Sequence, residues 1–130
     1  MRKLTTLAWW QFVPVLERRE AFRTDGALSG GQRVWRFGRL AYDYRENVKS
    51  ADYVVLSYST PIAWHVPTGA AQRLYLPMVL GMMANYRDAD GYWIQPEEHY
   101  SLAACRHQGL IAMAISQLVS EQRADLRRAS

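Results

Sequence analysis

The side chains of this 130-residue sequence best suited to chemistry are His65, His99, His107 and Cys105, with the adjacent pair Glu97-Glu98. Cys105 and His107 invite a nucleophile–base pairing, in which an imidazole draws the proton from a thiol. Their spacing argues against it, because residues two apart on a helix point about 200° from each other. A helix N-terminus lowers a thiol pKa, but a small cysteine packed among apolar side chains is the commoner finding. The three histidines and Cys105 lack zinc-ligand spacing. Glu97-Glu98 reads as a solvated turn rather than the carboxylate pair of a hydrolase. Gly30-Gly31 has neither the strand before it nor the helix after it that a phosphate loop needs. The sequence therefore predicts no catalytic residue, no metal and no cofactor, and the chain reads as non-enzymatic. A small Cys/His hydrolase or metal protein remains the chemical alternative, and it requires those side chains to converge in a cleft.

His107 has a second reading. It shares a helical stripe with Ile111, Ala114 and Leu118, so its imidazole is expected to face a sheet. A buried imidazole needs hydrogen-bond partners, and the hydroxyls of Ser57, Ser59, Thr60 or Tyr100 can supply them. That makes His107 a polar latch between helix and strand.

Two kinds of binding surface are also written in the chain. Residues 33–45 interleave Arg36, Arg39 and Arg45 with aromatics, a pattern that suits nucleic acid if arginines meet phosphates and exposed rings stack on bases. Strand parity instead sends Trp35, Phe37, Leu40, Tyr42 and Tyr44 toward the core and leaves the arginines on a solvated face. Trp9 and Trp10 are neighbours, so on any regular element they point apart and one of them is available to a partner. Met78, Met82 and Met83 add adaptable apolar surface. The commoner role for both groups is to finish a small core.

The elements that must carry these residues follow from periodicity. Pro14 suits the first turn of a helix to about Phe22, and residues 24–31 read as a loop. Val34–Phe37 and Leu40–Tyr44 read as strands whose parity shifts at Gly38, marking a bulge or turn. Asp52–Tyr58 is rich in β-branched and aromatic residues, a central strand covered on both faces. The chain is expected to end, bulge or turn at Thr60-Pro61 before Ile62–Val66 resumes. Thr68 to Tyr86 reads as irregular helix broken by Pro77 and Gly81. A turn at Asp88–Gly91 leads to a strand at Tyr92–Gln95. Ser101 then caps a helix from about 102 to 126, with cations near its C-terminus. The expected fold is α+β: an antiparallel sheet of four or five strands with a long C-terminal helix packed on one face.

Composition sets the frame. The chain is 49% hydrophobic and 22% charged, which fits one domain over residues 1–130, with 1–32 an N-terminal helical or arm segment. No apolar run reaches a membrane span, and the N-terminus lacks a signal-peptide cleavage site. The lone Cys105 excludes an intramolecular disulfide and suits a reducing cytoplasm. The net charge of +4 lies wholly in residues 1–65, where ten basic residues face six acidic ones. An excess of that size permits weak attraction to polyanions and does not establish it.

The run Tyr53-Val54-Val55-Leu56-Ser57-Tyr58-Ser59-Thr60-Pro61-Ile62-Ala63-Trp64, with Tyr100-Ser101 and Arg106-His107 further on, resembles a small bacteriophage and bacterial domain of unknown function. That pattern reads VV-x-SY-x-TPIAW, then YS-x-x-x-x-(R/K)H. Threonines stand in it where this chain has Ala103 and Ala104, and its shorter spacing implies that part of 70–90 is an insertion. The resemblance implies a phage accessory context, in the host cytoplasm, and no activity. The expectation is then an accessory protein that binds a macromolecule. A host or self protein is favoured, with a homodimer one form, through Trp9, Trp10, Met78, Met82 and Met83. A nucleic-acid module built on Arg36, Arg39 and Arg45 is the alternative, and no membrane partner is expected.

Overall fold

Alternation in Tyr53-Val54-Val55-Leu56-Ser57 builds the centre of the molecule, because both of its parities are apolar and both must be covered. In the computed structural model this segment is strand β4 (Tyr53–Ser57), and all five residues are buried. The structure describes residues 1–5, 8–32, 36–73, 83–96 and 102–129, without the side chains of 43, 71–73, 83–86 and 129. Expectations on Val34, Trp35, Pro77, Met78, Gly81, Met82, Glu97, Glu98, His99, Tyr100 and Ser101 fall outside these residues.

Around β4 lie β1 (Arg2–Leu4), β2 (Phe22–Thr24), β3 (Leu28–Gly31), β5 (Thr60–Pro67), β6 (Met83–Arg87) and β7 (Gly91–Pro96). They form one seven-stranded sheet in the order β1-β2-β3-β4-β5-β7-β6. Only β1 and β2 run parallel; their connection carries helix α1 (Trp9–Glu17), the crossover that a parallel pair requires. The β4–β5 register pairs Tyr53 with His65 and Val54 with Trp64, and it shifts between Val55 and Leu56.

Each face has its own core. On one side α1 and α4 (Leu102–Ala129) bury Phe12, Val15, Leu16, Ile111, Ile115 and Leu118 against Phe22, Tyr53, Val55 and Trp93. On the other, a 3-10 turn (Tyr42–Tyr44), α2 (Arg45–Lys49) and α3 (Thr68–Arg73) cover Val54, Leu56, Trp64, Val66 and Ile94. The fold is α+β with a long C-terminal helix on one face, as expected. The sheet is larger than expected and mixed.

Four local expectations are corrected. The first helix starts at Trp9, not Pro14, so Pro14 lies inside it. The 24–31 loop is a hairpin joining β2 and β3. Gly30 looks like a loop residue, yet it lies in β3, paired with Phe22 and Val55, where a Cβ would collide with the Phe22 ring. The expected strand at 40–44 is instead 3-10 and α-helix. Leu40, Tyr44 and Val48 are all buried, an i, i+4, i+8 spacing that a helical turn satisfies and an alternating strand does not. Finally, residues 83–87 extend the sheet edge rather than continuing a helix. Among the described residues, no helix is long and apolar enough to cross a membrane.

Candidate functional sites

Among the described residues, the densest polar cluster centres on His65, which the register places on the same face as Tyr53 and Trp93. His65 is completely buried, with Trp93 edge-on at 5.0 Å. Asp52, just before β4, lies with Oδ1 2.7 Å from Nδ1. Asp88, after β6, places its two oxygens 3.1 and 3.0 Å from Nε2. Asp88 is itself fixed by the turn it starts, since its Oδ1 accepts the backbone N–H groups of Asp90 and Gly91 at 2.9 and 2.8 Å.

Arg19 completes the cluster from the end of α1. That helix stops in a Schellman arrangement, with Arg19 N donating to the Leu16 carbonyl and Glu20 N to the Val15 carbonyl. The geometry puts Arg19 at φ 50°, a left-handed position usually given to glycine. Its guanidinium nitrogen Nη2 lies 2.9 Å from His65 Nε2, 3.1 Å from Asp90 and 3.6 Å from Asp88. Nε is 3.6 Å from Asp52. The strain at Arg19 is thus met by the carboxylates its side chain reaches.

Burial disfavours charge on His65, but hydrogen bonds to Asp52 and Asp88 and their negative charges outweigh it and raise the pKa above the ordinary value. In the imidazolium both ring N–H groups donate to carboxylates, and Asp88 and Asp90 hold Arg19. In the neutral ring Nε2 accepts from Arg19 instead. Burial opposes the Asp88 carboxylate too, yet His65 and the Asp90 and Gly91 amides hold its pKa at about 2. Asp52 and Asp88 sit on opposite nitrogens of one ring, so their oxygens do not converge on a point. Among the described residues, no group of three His, Cys, Asp or Glu side chains is arranged to hold a metal ion. With both nitrogens occupied and no exposed surface, His65 is a structural clamp tying the α1 terminus, the β4 entry and the β6–β7 turn together.

His107 lies on the same side of the sheet. Ser57 Oγ is 2.7 Å from its Nδ1. Burial lowers the His107 pKa and so favours the neutral ring, which shares one proton with the Ser57 hydroxyl across this contact. A second link from this part of α4 runs from Gln95 Nε2, which donates to the Gln108 carbonyl at 3.0 Å. Of the other hydroxyls proposed for His107, Thr60 Oγ1 accepts from the Arg39 amide at 2.9 Å, and Ser59 is exposed in the β4–β5 turn. Cys105 is half-buried on α4.

The proposed partner-binding tryptophans do diverge. Trp9 packs against the core, whereas Trp10 is 62% exposed, with the two rings edge to face at 5.9 Å. A groove of about 290 Å³ runs beside them. Trp9, Trp10, Val13 and Pro14 form its apolar wall, and Glu17, Gln117 and Glu121 its polar side. Pro14 has no N–H, so the Trp10 carbonyl lacks its usual donor four residues on. Met83 begins the edge strand β6, across from Pro96.

The arginine segment departs from its expectation at one residue. Phe37 is half-buried and Leu40 and Tyr44 are buried, but Tyr42 is 80% exposed. A 3-10 turn does not preserve strand parity, so Tyr42 points outward while its neighbours pack. Arg36 and Arg39 are exposed, and the Arg45 guanidinium lies 5.3 Å from the Phe37 ring centre and 5.6 Å from that of Tyr42.

Asp52, Asp88 and Arg19 are not among the residues that the sequence singles out. The signal available for Asp88 was Asp88-Ala89-Asp90-Gly91, read only as a turn; the pairing of distant elements on His65 is not a local property. Comparison with family models, curated proteins and solved structures returns no match.

Proposed function

We propose that this chain is a non-catalytic accessory protein that binds a protein partner through the groove between α1 and α4. The carrying observation is Trp10, 62% exposed at the edge of a preformed groove. Tryptophans in such positions anchor interfaces because they bury a large apolar area with few rotamers to lose. The groove also has a sign. Glu17 and Glu121 line it beside the Trp10 ring, so the partner segment carries an apolar side chain beside an arginine or lysine. The sealed state of His65 and the engagement of His107 with Ser57 support binding over chemistry. The likeness of Tyr53–Trp64 to a bacteriophage domain supports the accessory role, and the lone Cys105 supports action in a host cytoplasm.

Selection of random peptides on the immobilised wild-type protein, with Trp10→Ala in parallel, tests this reading. Enrichment of sequences pairing an apolar residue with Arg or Lys, absent on Trp10→Ala, is the expected result. Enrichment of acidic sequences, or the same peptides on both proteins, would overturn it. A dimer in solution that Trp10→Ala dissociates would replace the foreign partner with a second copy of the chain.

A further inference from the structure

The opposite face of the sheet carries a surface of different chemistry. We infer that residues 36–45, together with the β4–β5 turn, form a binding site for single-stranded nucleic acid.

Exposed rings are the first requirement. Tyr42 is 80% and Tyr58 67% exposed, so both can offer a face to a base. Tyr58 is held at φ 58°, a left-handed conformation rare for an aromatic residue, with its amide donating to the Ala27 carbonyl at 2.9 Å. The fold thus presents this ring in a strained turn rather than burying it.

Positive charge is the second. Arg36, Arg39 and Arg45 cluster here, and none is ion-paired to a carboxylate whose side chain is described; the Asp43 side chain in the same segment is not among those. The Arg45 guanidinium stacks over Phe37 and Tyr42, and its buried Nε has no hydrogen-bond partner there. Stacking fixes the cation beside the exposed ring before any ligand arrives.

Contiguity is the third. The Arg39 amide donates to Thr60 Oγ1 at 2.9 Å. Gly38, at φ 49°, packs so tightly on Ser59 and Thr60 that a Cβ would collide with the threonine hydroxyl. The arginine segment and the Tyr58 turn are therefore one surface. Exposed rings among arginines favour a flexible strand whose bases can splay out over a duplex, whose bases are already stacked.

Fluorescence anisotropy with labelled oligomers of about 15 thymidines or uridines, at about 50 mM salt, tests the site. Binding is expected, weakening about tenfold in Tyr42→Ala and little in Tyr42→Phe. The Arg36→Ala/Arg39→Ala double variant should shrink the salt slope by about 1.4, the share of two phosphate contacts. Trp10→Ala should bind as wild type does, which separates this site from the groove. No binding at this salt, tighter binding of a duplex, or affinity unchanged in Tyr42→Ala and in the double variant would overturn the proposal. So would binding of a peptide, but no oligomer, that Tyr42→Ala abolishes.

Discussion

Arg19 shows how one residue couples backbone strain to side-chain charge. A glycine at its left-handed position would relieve the strain, and the arginine is kept there by contacts to His65, Asp52, Asp88 and Asp90. Its side chain is 16% exposed and that of Asp88 3%, so this network is screened far less than a surface pair. Arg19→Ala is expected to lose about 2 kcal/mol, because it removes the cation shared by Asp52, Asp88 and Asp90 and keeps the strained φ, while His65 and the Asp90 and Gly91 amides still hold Asp88. Arg19→Gly removes the same charge but not the backbone preference, and should recover about 1 kcal/mol of that loss. Urea denaturation of the three proteins checks the order wild type, Gly, Ala. Equal stability of Ala and wild type would mean that the cluster contributes nothing. The same residue marks a limit of sequence reading. Nothing local to Arg19, His65 or Asp88 announces the cluster, because their meeting depends on three elements docking.

At the scale of elements, what could be read was what periodicity alone decides. β4 and α4 emerge from runs long enough to show one period, and Pro61 lies beside the register shift expected near it. The 40–48 segment was misread because Leu40, Tyr42 and Tyr44 alternate, while the buried set Leu40, Tyr44 and Val48 follows a helical period. β3 was missed because Ser29-Gly30-Gly31 has no strand propensity; its place is set by pairing with β4 and by the room Phe22 needs. Of the exposed rings, Trp10 follows from its neighbour Trp9, since the two must point apart, whereas the exposure of Tyr42 depends on the 3-10 turn. The contact between α4 and β4 yields its own test. His107→Ala leaves the half-buried Ser57–His107 pair broken and should cost about 1–2 kcal/mol, lowering Tm by several degrees. His107→Gln should recover part of this by keeping an acceptor near Ser57. Thermal melts of the two variants that match wild type would remove the latch from the account.

For the whole molecule, the two histidines make opposite contributions to stability with pH. His65 has a raised pKa, so its contribution is complete below the unfolded value of 6.5 and is lost as pH rises through the folded one. His107 has a lowered pKa, so its contribution is present above 6.5 and is lost as pH falls through the folded value. Asp88 adds stability above 3.8 that is lost as pH falls toward 2. Melting curves across this range should show His65→Gln abolishing the alkaline decline and His107→Gln abolishing a loss just below pH 6.5. Identical pH profiles in wild type and both variants would contradict these assignments. Clamped between two cores, the sheet holds the groove and the arginine–tyrosine surface on opposite faces, so one partner can occupy each. The groove carries the account. The most direct measurement is the affinity of the best selected basic–apolar peptide for wild type and for Trp10→Ala, by titration calorimetry with melting temperatures taken alongside. A loss of about 30-fold or more at unchanged melting temperature is the predicted result; affinities within about twofold of each other would contradict it.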